Sequence, residues 1–472
     1  MTPSLSETSG VTTVGVVGAG LAGLAAAFRL RSLGLHVTVF EAGPRTGGMV
    51  RSWREDGFLA EGGPHSLSRP SPEIRALFTE AGLDERRVAP DPDRSARFIV
   101  RDGRPIALPT RPTGLLTTPL LSPGARLRVL AEPLRRRSRP PEGDESVADL
   151  LRRRGLGQEF VDRFLDPFVA GVYAGNPERL SVQHAFPLLH DLERERGSLV
   201  RGVLARARRG RAGREGSDGH PPIFSFREGM EEIPRALARG LEGRIHLDTP
   251  ITGLHRSGSQ PGQWELTGAG GPLGAFDRVL LALPAHRLAE LDLPDPTRPH
   301  LQPLSRIDHP PIVLLTLGFA RQPSQHPMDG FGMLIPKVEE HRILGALFPS
   351  TLFPDRAPDG HVSVAVFVGG TRQPELAHLD DDELDRVVLE ELEELLGIRG
   401  RPVFRRRMLW ERSIPQRNVG YGDVLDAAAK LEEVMPGVVV AGSWRDGVSV
   451  GDALGSGLEA AARVTSGRCA VG

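Results

Sequence analysis

The chain has one cysteine, Cys469, among 472 residues, only two tyrosines, and no excess of either charge: 59 Lys and Arg stand against 60 Asp and Glu. A single thiol excludes an internal disulfide framework and any multi-cysteine metal or iron–sulfur centre, and it fits a reducing compartment. The charge balance removes any global attraction to nucleic acid or to an acidic membrane, so no nucleic-acid partner is expected. No apolar run approaches the roughly eighteen residues that a membrane-spanning helix needs. The first ten residues, MTPSLSETSG, have neither a basic stretch nor an apolar core and do not read as a secretory signal. The expectation is a cytoplasmic protein, soluble or at most peripheral on the inner face of the cell membrane, long enough for two or three domains.

What is present is a β-α-β unit near the start. Thr12 to Val17 is a β-branched run of the kind found in buried parallel strands, Leu21 to Leu33 has helical composition, Gly34 stops the helix, and His36 to Phe40 is a second strand. From Asp91 to Arg211 the chain is rich in arginine, leucine and proline and mostly helical in pattern. Residues 206–222, RARRGRAGREGSDGHPP, read as a solvated, mobile linker. Strand-like runs return after it, and 311–370 alternates β-rich stretches with turns. A charged amphipathic helix over Asp380 to Leu396 precedes a last strand, GVVVAG, and a helix beginning near Gly451. There is no internal repeat.

Gly18-Ala19-Gly20-Leu21-Ala22-Gly23 fits the G-x-G-x-x-G pattern between a strand and a helix. Gly18 permits the tight turn, Gly20 lets backbone approach a pyrophosphate, and Gly23 lets helix pack on strand, with the helix N-terminus favouring phosphate. Glu41 ends the second strand eighteen residues after Gly23, where a carboxylate accepts hydrogen bonds from ribose hydroxyls and repels a 2′-phosphate. Ala42, Arg45, Gly47, Gly48 and Met49 follow it, and then AEGGPHS at 60–66. Two further glycine-rich turns so soon after the acid suit a longer, flat cofactor, FAD rather than NAD. Far downstream, AGSWRDGVSVGDALGSG at 441–457 looks like a second glycine-rich cofactor loop.

In these motifs the chain resembles the flavin-containing amine oxidase superfamily. Further matches are LDPFVAGVYAGNPERLSV at 165–182, DGFGMLIP at 329–336, LGALFPSTLFPDRAPDG at 344–360 and W-E-R-S-IPQ at 410–416, and the resemblance narrows to the oxygen-dependent protoporphyrinogen and coproporphyrinogen oxidases through GVYAGNPERLSV at 171–182 followed by HAFPLL at 184–189 and ERERGSL at 193–199. It implies an α/β and α+β fold. A discontinuous Rossmann-type FAD-binding domain would be built from 11–88, 222–290 and 405–470, with an inserted helical, membrane-contacting domain at 89–210 and a mixed-sheet substrate domain at 291–404. The tail loop would then cap the flavin ring, with Gly442 and Gly447 lying against it and the free N–H groups of Val448, Ser449 and Val450 aimed at its pyrimidine end. The same resemblance implies FAD contacts at Gly63, Pro64, His65 and Ser66, at Ile251 facing the adenine side, and at Trp410 and Ser443. Cys469 lies beyond the last motif, which implies one non-covalent FAD per chain.

On the substrate side the resemblance assigns Arg97 to a propionate, an anion that a planar guanidinium holds bidentately. It places Leu334 and Phe353 on the two faces of one pyrrole ring, the backbone carbonyls of Gly171 and Gly175 near ring N–H groups, and Val172 with Tyr173 on the cavity wall. The implied reaction takes hydride from a meso carbon to the flavin and a proton from a pyrrole N–H, with O₂ as final acceptor giving H₂O₂, three times over. The flavin carries the chemistry, so no side chain is named as catalytic, and a lone histidine such as His65 is not named as a base. The implied partners are a tetrapyrrole and O₂. A homodimer is compatible, and 112–140, an apolar stretch joined to an arginine cluster, suits peripheral membrane contact.

Three positions depart from the family pattern: Arg417 where an aromatic residue is usual, Tyr421 where histidine is, and Ala453 where cysteine is frequent. Rival readings stay open. One is oxidation of coproporphyrinogen III rather than protoporphyrinogen IX. Another is an oxidase or desaturase of the same fold, although Met49 follows the Gly-Gly doublet where amine oxidases carry arginine, and two tyrosines are few for an aromatic cage. The most distant is a flavin-free carrier similar to GDP-dissociation inhibitors.

Overall fold

Val14, Val16 and Val17 are buried on both faces of a parallel sheet, which is why this strand reads as a continuous apolar run. In the computed structural model, which describes residues 12–94, 96–109, 114, 117–135, 143–212, 223–321 and 326–466, five parallel strands form that sheet. Their order is Ile245–His246, His36–Phe40, Thr13–Val17, Arg278–Leu281 and Val438–Val440. The register sets Val14 beside Val37 and Val279 beside Val438. The helix Leu21–Ser32 lies on this sheet through Leu24, Ala25, Ala26, Ala27 and Leu30, all fully buried. Small alanines here let a second helix come close. That partner is the terminal helix Val450–Ser466, and its approach is so tight that a Cβ on Gly457 would stand 2.1 Å from the Ala22 carbonyl oxygen.

A second body is a mixed seven-stranded sheet in the order Phe404–Trp410, Ile312–Ala320, His361–Gly369, Gly345–Leu347, Gly330–Leu334, Ala96–Arg101, Arg104–Ala107. All neighbours are antiparallel except Gly330–Leu334 against Ala96–Arg101. The helix Asp381–Leu396 seals one face with Leu384, Val388, Leu392, Leu395 and Leu396 against Val313, Leu315 and Leu317. Asp380 caps its start by accepting the Glu383 N–H at 2.8 Å, and Gly397 ends it in the left-handed region.

Three expectations are corrected by this sheet and its neighbours. Residues 96–107 are a hairpin of the sheet and not part of a helical insert: Asp102 and Gly103 both take positive φ, the two-residue turn that matches strand twist. Phe404–Trp410 likewise belongs to this sheet rather than to the nucleotide-binding part. Its Arg405 and Arg407 pair with Asp381, and Arg405 also with Asp385, so a charged run forms an edge strand. Residues 206–212 continue the helix Leu199–Ala212, whereas 213–222, the rest of the expected linker, lie outside the described residues, as does Cys469.

The helical part includes Pro123–Ala131, Val147–Arg153, Asp166–Tyr173, Pro187–Arg196 and Leu199–Ala212, gathered on Val147, Leu150, Leu165, Val169 and Tyr173. At its centre Glu132, fully buried, pairs with Arg154 at 2.6 Å and accepts from Ser198 Oγ and the N–H groups of Leu199 and Val200. A buried carboxylate is tolerable because its lone pairs are filled and it faces a helix N-terminus. Leu127, Leu130 and Leu134 of the first helix and the turn after it are exposed at 68%, 53% and 83%. No helix among the described residues is long and apolar enough to cross a membrane.

The helix contact at Gly457 is testable. Gly457→Leu should destabilise the protein by about 1–3 kcal/mol or more through overpacking against backbone. Gly455→Leu, where a Cβ meets nothing within 4 Å, should be tolerated. Urea unfolding of both variants reads the difference, and equal midpoints would mean the two helices are free to separate.

Candidate functional site

The first glycine loop is held by backbone geometry. Gly18 has φ +100°, and a Cβ there would meet the Ala282 carbonyl oxygen at 2.5 Å. A Cβ on Gly23 would stand 1.9 Å from the Gly18 oxygen. Gly20 is the opposite: nothing lies within 4 Å of where its Cβ would be, and the helix it starts has no side-chain cap. An open space thus faces unpaired N–H groups of the first helical turn, around Leu21 and Ala22. Glu41 stands over the same loop, its carboxylate accepting from the N–H of Ala19 at 2.7 Å and of Gly43 at 3.0 Å.

The next glycine turn folds onto the first. Gly47 N–H donates to the Ala19 oxygen at 2.8 Å, and a Cβ on Gly48 would be 3.3 Å from Gly20 Cα. Arg45 fixes the turn by donating to the carbonyls of Thr46, Gly48 and Val50. Beside it a Cβ on Gly63 would meet the Met49 oxygen at 2.5 Å, so the turn carrying Pro64, His65 and Ser66 is in contact too. Trp410 reaches this turn, donating from Nε1 to the Gly62 oxygen at 2.6 Å. Ile251 follows Asp248 and Thr249, whose N–H groups bond the carbonyls of Gly43 and Glu41.

The tail closes the other side. Gly442 and Gly447 have φ near +141° and +146°, and the Trp444 indole donates to the Leu283 oxygen at 2.9 Å, next to Gly18. Ser443 lies between the two glycines. The helix start differs from expectation in one respect. Ser449 and Asp452 form a reciprocal capping box, Ser449 N–H to Asp452 Oδ2 at 3.1 Å and Asp452 N–H to Ser449 Oγ at 3.0 Å, so these two N–H groups are not free. The same box leaves Val448 and Val450 flanking the cap, with Gly451 facing Leu67 of the neighbouring turn.

Across from this lies an apolar cluster of Ala170, Ala174, Ile312 and Leu344 with Phe367 and Ile414. Gly171 and Leu334 meet there: a Cβ on Gly171 would stand 2.4 Å from Leu334 Cδ2. Gly175 faces Gln416, whose Nε2 donates to the carbonyls of Tyr173 and Ile414 while its Oε1 stays buried and unpartnered. His65 faces Phe367 at a ring separation of 6.1 Å. Arg97 is exposed beside Phe331, its guanidinium 5.2 Å from the ring, and shares register with Gly332, two residues before Leu334. Val172 is exposed, on the side of its helix shared with Phe168. Phe353, 2% exposed, sits under the Arg356 guanidinium, so its surroundings are core and Leu334 is met by Gly171 instead.

Residues missed in the sequence are Ala282 and Leu283, Gln416, Arg356 and Glu61. Glu61 is a carboxyl in a fully buried strand. Burial pushes it up to about 7 although Ser52 Oγ and the Met230 N–H bond it. Its signal was available: an acid between LA and GGP. Burial, aided by the nearby Arg356 cation, lowers His65 to about 4, and its Nε2 has no partner.

The sequence pattern of the flavin containing amine oxidoreductase family matches residues 21–465. Protoporphyrinogen oxidase 2, chloroplastic/mitochondrial, of Arabidopsis thaliana is 35% identical, with 96% of this chain and 94% of that protein aligned. Coproporphyrinogen III oxidase of Bacillus subtilis is 25% identical over 94% of this chain and 96% of its own. A crystal structure from Exiguobacterium sp. 255-15, described as a putative protoporphyrinogen oxidase, superposes with a TM-score of 0.81 at 28% identity, covering 96% of this chain and 98% of that one.

The depressed His65 fixes a pH dependence of stability. Below about pH 6.5 the unfolded chain binds a proton that the folded site refuses until about 4, so stability falls as pH drops through that window. The loss reaches about 2 kcal/mol at pH 5. His65→Asn should lose less than the parent between pH 7 and 5 in urea unfolding; an equal loss would show that the folded ring takes up the proton.

Proposed function

The chain belongs to the flavin containing amine oxidoreductase family and, within it, to the protoporphyrinogen oxidases, and from that premise we propose that it holds one FAD non-covalently and oxidises protoporphyrinogen IX to protoporphyrin IX. The observation that carries this reading is the meeting of three glycine turns, at Gly18–Gly23, Gly47–Gly48 and Gly62–Gly63, around space left open above Gly20.

The residues present fit a dinucleotide. The uncapped start of the helix Leu21–Ser32 and the bare Gly20 backbone suit the pyrophosphate, and Glu41, already oriented by two N–H groups, suits the ribose. Ala42 and Ile251 border the adenine side; Met49, the turn of Pro64, His65 and Ser66, Trp410, Ser443 and Val448–Val450 border the ring. Bound there, FAD would supply the hydride acceptor for the porphyrinogen and the route of the electrons to O₂.

The chain itself positions and desolvates. The aliphatic cluster of Ala170, Ala174, Ile312 and Leu344 offers the macrocycle an apolar wall and excludes water. Gly171 keeps backbone close to that wall beside Leu334. Gln416 Oε1, buried without a donor beside Gly175, is an acceptor for a pyrrole N–H; its Nε2 bonds fix which amide end faces inward. Arg97 stands exposed on the strand beside Leu334's, suited to a propionate. His65 stays neutral near pH 7, so it does not repel a proton leaving the macrocycle.

Greater identity to the protoporphyrinogen oxidase than to the coproporphyrinogen oxidase supports protoporphyrinogen IX, which carries fewer carboxylates on the same macrocycle and is the more apolar of the two. Such a substrate partitions into lipid, and the exposed Leu127, Leu130 and Leu134 beside Arg128 and Arg135 suit contact with an anionic bilayer. With vesicles containing anionic lipid the protein should float; protein left at the bottom of the gradient removes the membrane contact.

The main experiment is anaerobic. The purified protein should be yellow, should release its FAD on denaturation, and should be bleached faster by protoporphyrinogen IX than by coproporphyrinogen III, with colour restored by O₂. A colourless protein that takes up no FAD overturns the cofactor, and a yellow protein that neither porphyrinogen reduces overturns the substrate.

A further inference from the structure

Arg417 is a buried cation that no carboxylate contacts among the described residues. It is 8% exposed, and its guanidinium donates only to carbonyls: His184 at 3.1 Å, Ser443 at 3.1 Å and Trp444 at 3.4 Å. Its Nε is buried without a partner, and among the described residues no carboxylate pairs with it. Tyr421 lies under it, 5.6 Å from guanidinium carbon to ring, and donates its hydroxyl to the same Trp444 oxygen at 2.6 Å. Withdrawing an unpaired cation from water is costly, and three carbonyl dipoles compensate only partly. No carboxylate among the described residues is in contact with it to complete the balance.

Two neighbours show where that charge would lie. Gln416, the preceding residue, faces Gly175 on the substrate side. Ser443 and Trp444 form the tail loop, and Trp444 is tied through Leu283 to the turn around Gly18. Arg417 therefore bridges the apolar cluster and the loop that borders the flavin ring. Taking up two electrons and one proton leaves a flavin ring one unit more negative than before.

We propose that Arg417 is the fixed counter-charge for the reduced flavin, an electrostatic positioning residue that makes the bound cofactor a stronger oxidant. The inference rests on the FAD reading above. Its cation acts from behind the Ser443–Trp444 backbone, in surroundings of low polarity where charge is poorly screened. Tyr421 shares the tether without sharing the charge, so the two roles separate by substitution.

The test is the midpoint potential of FAD in the holoenzyme, by dye equilibration, for the parent and for Arg417→Gln, Arg417→Lys and Tyr421→Phe. Arg417→Gln should lower the equilibrium constant for reduction at least tenfold, about 30 mV for two electrons. Arg417→Lys should stay within about threefold of the parent, and Tyr421→Phe should leave the potential unchanged while lowering the thermal midpoint. Equal potentials for the parent and Arg417→Gln overturn the proposal, whether the variant is merely less stable or needs more porphyrinogen for half-reduction. Without any variant, the parent's potential between about pH 6 and 8 should follow one proton per two electrons, about 30 mV per pH unit. A two-proton slope means that the added charge does not persist, and it overturns the proposal even if Arg417→Gln fails to fold. Absence of bound FAD in the parent is a separate result and counts against the cofactor reading alone.

Discussion

Where Gly457 lies against the Ala22 carbonyl, no side chain fits between the first helix and the last. That contact joins the two ends of the chain, and the site depends on it. The terminal helix buries Leu454, Ala460, Ala461 and Val464 in the core shared with Leu24 and Ala25–Ala27. Apolar burial of that kind is what holds a helix which would be marginal alone. Once it is docked, the Ser449–Asp452 cap stands at a fixed position relative to Gly18–Gly23, and the strained Gly442 and Gly447 have only one path between sheet and helix. The tail loop is thus positioned by backbone packing rather than by its own side chains.

The second consequence concerns polarity. Buried polar atoms without partners occur at several places in the structure, and three of them are His65 Nε2, Gln416 Oε1 and Arg417 Nε. These belong to segments that face either the glycine turns or the apolar cluster. Each is a different chemical kind: a neutral ring nitrogen, an amide acceptor and a cation. A core residue would be expected to find its partner within the protein. The partners proposed above are external: a pyrrole N–H for the amide and a negative ring for the cation.

The parts legible in the sequence are those that backbone sterics dictate. At Gly18 and Gly23 any side chain collides with backbone, so residue type and spacing carry the fold directly. Glu41 was legible for a related reason, since a carboxylate ending the second strand falls over the loop. The hairpin at 96–107 was hidden by its arginines and prolines, although Asp102-Gly103 is a strong turn signal. Arg405–Arg407 looked unlike a strand because its charges are matched far away in the sequence, Arg405 and Arg407 by Asp381 and Asp385 on a distant helix and Arg406 by Glu55, a compensation with no local trace. The capping box at Ser449 was visible in the spacing but was outweighed by the expectation of free N–H groups. Phe353 was placed by resemblance, and the structure surrounds it with Arg356 and core.

Arg417 and Tyr421 stood out in the sequence as two separate departures, and the structure makes them one unit. A guanidinium replacing an aromatic ring at a buried position ordinarily leaves a charge stranded. Here the phenol four residues later supplies a flat surface beneath it and shares one of its acceptors, the Trp444 oxygen. The carbonyl receives two donors, so its dipole is fully engaged, and the tail loop gains a tether from each. The phenol also keeps its proton, since burial holds it far above its usual range, and so it adds no negative charge that would cancel the guanidinium. A histidine at 421 would have set a titratable ring beside the fixed guanidinium charge. The tyrosine therefore makes the arginine tolerable and at the same time leaves its charge unspent, directed at whatever occupies the space beyond the loop.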